Sequence, residues 1–410
     1  MHFTMSVSLV KILLKSKGIL PFLTTILVIT SLLIVSQTTA PVTVLATGTT
    51  WYVAPSPTGT GLSGGNCLHP GFNTISAAIT AASAGDTVTV CYGTYIEQVT
   101  ISKSLTVKGS VTYNTPTPPI IQAPAVLTPD AFGFLNIVTI TGATTVVSFS
   151  HFTVTGPGPG TCGSINTGIF VSAGATATIT SNTIEHIRDQ PLSGCQNGQG
   201  IFVGRTAFST VGYATISGNT ILDYQKGGIV VDNAGSTATI TSNTVTGVGP
   251  TAAIAQNGIQ ISRGAVATVS SNTVSGNQCT DASASPPCGP DLLNDDQSVG
   301  ILLYQSGSGT VVSKNAVSVN DIGIDLYQAS STTTVTLNKL TNNQYAGIAL
   351  ADGTYTASSN AVSGPGNVGI AAVADASNTS VTLSKNTISG VTASIGAFAG
   401  SGLTATVLSS

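Results

Sequence analysis

The chain has 410 residues, of which only 7% are charged, with 12 Lys and Arg against 15 Asp and Glu and a net charge of −3. Nine of the basic residues and all of the acidic ones lie beyond Ala46, so that part has a net charge of −6 and no basic stripe that could neutralise phosphates. This balance argues against nucleic acid as a partner, and the positive mean hydropathy argues against a disordered chain.

Residues 1–46 are predicted to be an export signal. Three lysines between positions 11 and 17 precede an apolar run over residues 19–35, and small residues end the segment before Thr47. The run is at the lower edge of the length that spans a bilayer. We therefore expect a secreted or cell-surface protein, with the signal either cleaved or retained as an anchor.

All six cysteines lie beyond Ala46 and fall into neighbouring pairs along the chain. Several connectivities are open to six cysteines, and we predict the one in which each pair staples a loop or the first turn to an adjacent strand. The expected disulfides are Cys67–Cys91, Cys162–Cys195 and Cys279–Cys288. The CxxC or His spacing of a metal site is missing, and disulfides agree with export.

Residues 47–73 are rich in Gly, Pro, Ser and Thr and are predicted to be a lead-in loop. Over residues 74–84, Ile75, Ala78, Ile79 and Ala82 recur on one face of a short helix. Such a helix would cover the open backbone groups and the apolar interior of the first coil of a solenoid. Residues 87–91, 93–101 and 104–109 then alternate as the three strands of one coil.

The rest of the chain repeats a phrase made of a Gly-Ile or Gly-Val pair, a Thr/Ser-rich alternation and an Asn, with a period of 22 to 24 residues where loops are short. The glycines are Gly168, Gly200, Gly228, Gly258, Gly300, Gly323, Gly347 and Gly369. The asparagines are Asn182, Asn219, Asn243, Asn272, Asn315, Asn338, Asn360 and Asn386. A period this short that contains strands alone predicts a stacked β-solenoid.

Alternation within each repeat sorts the side chains into two faces. The residues expected to point inward are Ile169, Val171, Ile201, Val203, Ile229, Val231, Ile259, Ile261, Ile301, Leu303, Ile324 and Leu326. The repeated asparagines are expected to form a ladder of stacked side chains at a tight turn, where Asn also tolerates a left-handed backbone.

The opening of this region resembles that of right-handed parallel β-helix proteins of the pectin-lyase-like superfamily. The likeness lies in Phe72-Asn73-Thr74-Ile75 with the Ala-rich helix, Gly85-Asp86-Thr87-Val88, Gly93-Thr94-Tyr95 and Leu105-Thr106-Val107-Lys108-Gly109. It implies an all-β fold over residues 74–410, a single-stranded right-handed parallel β-helix with a short N-terminal capping helix. Its three sheets would hold the Gly-Ile strands, the Thr-x-Thr runs and the strands after each Asn.

Long loops interrupt the repeat on one side, over residues 187–198, 247–257 and 276–299, and long excursions usually mark the binding side of a solenoid. Outward residues of the Gly-Ile sheet there combine aromatic rings with amides and charged groups, which suit a sugar chain. The predicted substrate-binding residues are Arg205, Gln260, Tyr304, Tyr327, Gln328 and Asp352.

In related polysaccharide lyases, as the resemblance implies, carboxylates hold Ca²⁺ against a uronate while an Arg or Lys removes a proton. On that model the catalytic residues would be Arg263, Asp232 and Asp325, and the metal ligands would be Asp291, Asp295 and Asp296. The residues alone specify no cofactor. The characteristic motifs of lyases, hydrolases, methylesterases and epimerases of this fold are all missing from the chain.

Two classes of function therefore stay open. The chain is predicted either to be a non-catalytic adhesive or structural solenoid that engages extracellular or cell-surface polysaccharide, or to be a Ca²⁺-dependent polysaccharide lyase or a glycoside hydrolase that acts on uronate-containing glycans. A third hypothesis is that the Thr-x-Thr columns form an ice- or surface-binding face.

Overall fold

Strands follow one another through most of the chain in the computed structural model, which describes residues 48–55, 65–111, 117–158 and 160–409. The predicted export signal and part of the predicted lead-in loop lie outside these residues. In the described ranges, no helix has the length and apolar character needed to cross a membrane.

The Thr-x-Thr runs form one parallel sheet, called here the threonine sheet, with thirteen described strands. Its strands are β1 (Thr50–Val53), β2 (Thr87–Val90), β5 (Leu105–Gly109), β8 (Val146–Ser150), β11 (Thr176–Thr180), β14 (Tyr213–Ser217), β17 (Thr237–Thr241), β20 (Val266–Ser270), β23 (Val311–Ser313), β26 (Thr334–Thr336), β29 (Thr354–Ser358), β32 (Thr379–Ser384) and β35 (Ala405–Ser409).

The Gly-Ile pairs lie in a second parallel sheet, the glycine sheet, with eleven described strands. Its strands are β4 (Val99–Ile101), β7 (Asn136–Thr141), β10 (Thr167–Ser172), β13 (Gln199–Val203), β16 (Gly227–Asp232), β19 (Asn257–Ser262), β22 (Val299–Tyr304), β25 (Ile322–Tyr327), β28 (Ala346–Ala351), β31 (Val368–Ala374) and β34 (Ala393–Ala399).

The strands after each Asn form the third sheet, which also has eleven described strands. These are β3 (Thr94–Ile96), β6 (Ile120–Gln122), β9 (Thr153–Thr155), β12 (Thr183–Glu185), β15 (Thr220–Leu222), β18 (Thr244–Thr251), β21 (Thr273–Cys279), β24 (Ala316–Ser318), β27 (Lys339–Thr341), β30 (Ala361–Ser363) and β33 (Thr387–Ser389). Each coil adds one strand to each sheet, so the predicted right-handed parallel β-helix is confirmed.

A single apolar core fills the solenoid from Val53 to Leu383. All twelve residues predicted to point inward from the Gly-Ile strands are fully buried in it. The repeated glycines are needed because the sheet backbone of the next coil passes close by: a Cβ on Gly258 would lie 2.6 Å from the carbonyl oxygen of Gly300.

The predicted asparagine ladder is confirmed at the turn between the threonine sheet and the third sheet. Each ladder Asn from Asn182 to Asn360 donates from Nδ2 to Oδ1 of the next. For example, Asn243 Nδ2 donates to Asn272 Oδ1 at 3.0 Å, and the same oxygen accepts the backbone N–H of Asn243 at 3.0 Å. The left-handed backbone belongs to the residue before each Asn, such as Ser242 with φ 57°, and not to the Asn itself.

The predicted helix is observed as α1 (Ile75–Ala81), with Thr74 as its N-cap and Ile75, Ala78 and Ile79 buried. The carboxylate of Glu97, just before β4, accepts the N–H groups of Ile75 at 2.8 Å and Ser76 at 3.0 Å. These contacts fix the first turn of the helix against the first coil.

Two predictions at this end are corrected. The segment 47–73 is not loop throughout, because Thr50–Val53 pairs with β2 as the first strand of the threonine sheet. Residues 87–91, 93–101 and 104–109 are not the three strands of one coil: the middle segment divides into β3 and β4, and Leu105–Gly109 pairs with β2 and so begins the next coil.

The three predicted disulfides are confirmed, as Cys67–Cys91, Cys162–Cys195 and Cys279–Cys288. Cys162–Cys195 and Cys279–Cys288 fasten loops beside the glycine sheet, where the longest excursions leave the repeat.

Candidate functional site

Two columns of outward side chains run along the glycine sheet, fixed by the register of its strands. One column carries Val230, Gln260, Leu302, Asp325, Ala349 and Ala371. The other carries Asp232, Ser262, Tyr304, Tyr327, Ala351 and Val373. The long loops rise along one side of these columns, and together they enclose three adjoining cavities.

The first cavity, called the cationic cavity, has a volume of about 460 Å³ and is lined by Arg205, Lys226 and Arg263 among other residues. The Arg205 guanidinium lies 3.7 Å from the centre of the Phe134 ring, and burial lowers its pKa. The Lys226 ammonium donates to the carbonyl of Ala255 at 2.6 Å, and burial lowers its pKa to about 8.

Two of these three cations lack a carboxylate partner in the described chain. Arg263 pairs with Asp232, at 3.0 Å between Nη1 and Oδ1, whereas neither Arg205 nor Lys226 forms an ion pair there. Asp232 and Asp130 act on Arg205, and Asp296 acts on Lys226, from beyond ion-pairing distance, and each raises the pKa of its cation against the effect of burial. The cavity therefore holds two cations outside any ion pair of the described chain, which suits an anionic group.

The second cavity, called the tyrosine cavity, has a volume of about 540 Å³ and shares Gln196 and Lys226 with the cationic cavity. Tyr304 and Tyr327 stack in it with ring centres 5.7 Å apart and ring planes 9° apart. Both rings line the cavity, and the Arg263 guanidinium lies over the Tyr304 ring, 5.5 Å from its centre. Aromatic surface of this kind can pack against the apolar face of a sugar ring.

Asp325 lies half-buried at the junction of the tyrosine cavity with the third cavity, which has a volume of about 260 Å³. Its neighbours in register are Leu302 and Ala349, and no described residue donates a hydrogen bond to it. Burial, with a smaller contribution from the Asp352 carboxylate, raises the pKa of Asp325 to about 7. Asp325 can therefore carry a proton near neutral pH and offer it to a ligand.

The two other predicted catalytic residues bind each other. Asp232 is 2% exposed, and besides Arg263 it accepts Ser262 Oγ at 2.7 Å and the N–H of Thr206 at 2.8 Å. These contacts hold the 3₁₀ turn Thr206–Phe208 over the sheet. Catalytic roles for Arg263 and Asp232 stay predictions, while their observed contacts shape the wall of the cationic cavity.

The predicted substrate-binding residues divide between the cavities and the turns. Arg205 and Gln260 line the cationic cavity, and Tyr304 and Tyr327 line the tyrosine cavity. Gln328 instead accepts a hydrogen bond from Gln305 at 2.8 Å on the turn that leaves the sheet. Asp352 is buried and its Oδ1 accepts backbone N–H groups of the 375–377 loop, so it stabilises that loop and does not face a cavity.

The predicted metal ligands are not gathered into one site. Asp291 accepts the N–H of Leu293 and the side chain of Asn294, and Asp295 accepts the N–H of Asp291, so two of the three carboxylates stabilise their own loop. Asp296 faces the cavities. Among the described residues no three His, Cys, Asp or Glu side chains come together as a metal site, and the residues present do not fit the Ca²⁺ site that the resemblance implies.

Lys226 was missed by sequence reasoning. It stands directly before the Gly227-Gly228-Ile229 strand and is one of only nine basic residues beyond Ala46. A basic residue is rare in this chain, and this one lies at the start of a Gly-Ile strand. These two features could have indicated Lys226 from the sequence.

Residues 199–388 match the family model described as "Right handed beta helix region". No curated protein matches the chain. Among solved structures, the Agl-KA catalytic domain is similar with a TM-score of 0.52 and 14% identity, covering 82% of this chain and 64% of that one.

Two further solved structures are similar at lower TM-scores. An alginate lyase from Paenibacillus sp. str. FPU-7 has a TM-score of 0.45 and 13% identity over 81% of this chain and 96% of its own. The mannuronan C-5 epimerase AlgE4 A-module of Azotobacter vinelandii has a TM-score of 0.45 and 15% identity over 78% of this chain and 92% of its own. At these identities the likeness concerns the fold alone.

Proposed function

Because the protein is a right-handed parallel β-helix with a groove along its glycine sheet, we propose that it binds an acidic polysaccharide in that groove. One observation carries the proposal: the stacked pair Tyr304 and Tyr327 adjoins Arg205 and Lys226, two cations without a carboxylate partner in the described chain. The rings offer apolar faces to sugars, and the cations offer charge-assisted hydrogen bonds to carboxylate or sulfate groups.

The proposal places this binding outside the cytoplasm. Three disulfides support that location, since disulfides persist in oxidising compartments. The predicted export signal over residues 1–46 agrees with it.

Binding is tested by calorimetry with an oligogalacturonate and a neutral oligosaccharide of the same length, at one fixed salt concentration. Tyr327→Ala is expected to lower the affinity for both oligosaccharides by roughly tenfold, because it removes the stacking surface. Lys226→Gln is expected to lower the affinity for the acidic oligosaccharide by roughly tenfold, because one charge-assisted hydrogen bond is lost. It should lower the affinity for the neutral oligosaccharide by less than about twofold.

Matched controls come from the same chain. Tyr213→Ala removes a partly exposed ring from the outer face of the threonine sheet, and Lys314→Gln removes an exposed lysine from the turn before Asn315. Neither change should alter binding. Equal losses in a control and its groove variant, or no binding by the parent protein to any acidic glycan, would remove the proposal.

A second candidate function, glycoside hydrolysis, is favoured by the unpartnered carboxyl of Asp325. In this reaction Asp325 would give its proton to the glycosidic oxygen as the bond to the anomeric carbon breaks, and Asp296 would take a proton from the water that adds to that carbon. Both side chains line the tyrosine cavity and the third cavity.

Hydrolysis is tested by following new reducing ends and unsaturated products from acidic polysaccharides, with and without Ca²⁺. New reducing ends that disappear in Asp325→Asn would support hydrolysis. Unsaturated products would support the lyase predicted from the sequence, and retained binding without product would leave the non-catalytic solenoid.

A further inference from the structure

The loop between β21 and β22 lies across the outer face of the glycine sheet, and its residues 281–297 are called here the strap. Leu292 packs on the outward side chains of Val299, Ile322, Ala346 and Ala349. Leu292 and Leu293 together pack on Ala351, Val368, Ala371 and Val373. The strap therefore rests on a floor of small apolar residues that continues the groove beyond Tyr327.

The strap forms a unit of its own. In the described structure, all hydrogen bonds of residues 281–297 but one join two strap residues, such as Cys288 N to Asp281 O at 2.8 Å and Asp296 N to Pro287 O at 2.8 Å. The exception is Ala282 N to Thr280 O at 3.0 Å, at the base of the strap. The Gln297 side chain also donates back to the carbonyls of Gly289 and Asp291. The Cys279–Cys288 disulfide joins the strap to the end of β21, so the strap stays attached there when it moves. Because no described hydrogen bond ties the strap to the floor beneath it, lifting it off the floor would break the apolar contacts of Leu292 and Leu293.

Both ends of the strap are held by one atom. Oδ2 of Asp321 accepts the N–H of Cys279 at 2.8 Å and the N–H of Ser298 at 2.9 Å. Asp321 is fully buried, and its other carboxylate oxygen has no hydrogen-bond partner among the described residues. The Asp321 side chain, between β24 and β25, thus joins the two ends of the strap, which are also held by the bonds from Thr280 N to Thr251 O and from Gln256 N to Ser298 Oγ.

We propose that the strap is a lid over the groove, which moves as a rigid body about its two ends and for which Asp321 is the latch. Its residues Asp295, Asp296 and Gln297 line both the tyrosine cavity and the third cavity, which meet beneath it at Asp325 and Tyr327. Raising the strap would join these two cavities into one continuous groove over the apolar floor. A long ligand chain enters by this opening and is covered when the strap closes.

The role of the lid rests on the proposed function, but its movement can be measured without a glycan. Ala349→Cys places a thiol on the floor, where the parent side chain is 2% exposed, and Ala357→Cys places one in the solenoid core, where the parent is fully buried. Labelling of the core thiol reports global unfolding, whereas labelling of the floor thiol also reports strap opening.

In the full chain under native conditions, we expect the floor thiol to be labelled at least ~100-fold faster than the core thiol, since local opening costs less than unfolding. Adding Leu293→Ser or Asp321→Ala should raise the floor rate by roughly tenfold and leave the core rate unchanged. Leu408→Ser, at an exposed position on β35, is the control and should change neither.

Equal labelling rates at the two positions, or a floor rate that neither variant changes, would overturn the lid. If the floor thiol is labelled at the expected rate while the protein binds no glycan, the result would support the lid and contradict the proposed ligand. Protection of the floor thiol by an oligogalacturonate, absent with the neutral oligosaccharide, would support both.

Discussion

Single side chains decide the tightest turn of this solenoid. The ladder asparagines from Asn182 to Asn360 are almost fully buried. Asn243 shows the pattern of the inner ones: it accepts two hydrogen bonds from Asn219, and it donates to Asn272 and to the backbone carbonyl of Ile216. The sequence predicted this ladder because identical residues recur at one position of the repeat. It did not predict which residue takes the left-handed backbone, since Ser, Gly, Lys and Leu all precede a ladder Asn.

We predict that Asn243→Ala lowers the free energy of unfolding by ~3 kcal/mol. The change leaves the buried N–H of Asn219 without its acceptor and removes the bond from Asn219 Nδ2 to the same oxygen, and an unsatisfied buried group costs about 1–3 kcal/mol. The measurement is the midpoint of denaturant unfolding. Thr239→Ala, an exposed change on the adjacent strand β17, is the control, and a similar loss there would refute a special role for the ladder.

A second residue-scale prediction concerns pH. Asp325, with its pKa raised to about 7, becomes an anion as pH rises from 6 to 8 and then repels an acidic ligand by roughly 1 kcal/mol, or about fivefold in affinity. Lys226, with its pKa lowered to about 8, loses its positive charge as pH rises through 8. This loss also lowers the affinity for an acidic ligand as pH rises.

Affinity for oligogalacturonate should therefore fall between pH 6 and pH 9 in two steps. Calorimetry with Asp325→Asn should lack the step near 7, and Lys226→Gln should lack the step near 8. Affinity that rises with pH in the parent protein, or a step near 7 that persists in Asp325→Asn, would count against an unpartnered Asp325 in the groove.

At the scale of elements, strands with strong alternation and the amphipathic helix could be predicted from the sequence. Elements next to them could not always be predicted. Thr50–Val53 is followed directly by the Gly/Pro-rich stretch, and it forms a strand because it pairs with β2. The position of the strap could not be predicted either. Its carboxylates Asp291, Asp295 and Asp296 suggested a metal site, whereas their positions depend on how Leu292 and Leu293 pack on the glycine sheet.

The latch predicts how opening of the strap depends on pH. Burial raises the pKa of Asp321 to about 6, despite the opposing hydrogen bonds from Ser298 and Cys279. Asp321 in turn acts on Tyr345, which Asp295 also affects. The closed strap keeps this carboxyl dry, and opening hydrates it and returns its pKa toward 3.8. The closed form thus binds the proton more tightly, so closure should weaken as pH rises from about 4 to about 6 and level off above that.

This dependence is measured by labelling the thiol of Ala349→Cys with a pyridyl disulfide, which reacts at low pH. The labelling rate at each pH is divided by the rate of a free thiol, so that the ratio reports strap opening alone. Asp321→Asn keeps an acceptor oxygen but cannot ionise, so its opening should not vary between pH 4 and pH 6. A parent protein that opens more at pH 4 than at pH 6 would show that another group controls the strap.

At the scale of the molecule, the repeat made the fold predictable and left the site largely unpredicted. Periodic Gly-Ile pairs and asparagines report contacts that every coil shares. The groove depends on contacts that occur once: Tyr304 meets Tyr327, and Asp325 lies between Leu302 and Ala349, only because residues 23 and 24 positions apart pair in that register. Lys226 lies in the short turn before β16 and Asp296 in the long loop before β22, yet both line the same cavity, and the repeat does not predict that they meet.

A stack in which each coil touches only its neighbours also predicts that damage at one end stays local. Helix α1 covers the first coil with Ile75, Ala78 and Ile79, while the groove begins near Arg205 and extends to Tyr327. Ile79→Asp buries a charge in the cap and should cost ~3 kcal/mol or more in local stability. Amide exchange should then accelerate over residues 87–109 and stay at parent rates over residues 257–327.

Glycan binding by Ile79→Asp should equal that of the parent protein, because the groove coils keep both of their neighbours. Thr80→Asp places the same charge on the exposed face of the same helix and should leave exchange in both regions unchanged. Faster exchange over residues 257–327 in Ile79→Asp would instead mean that the solenoid unfolds as one cooperative unit, so that its cap stabilises the distant groove as well as the first coil.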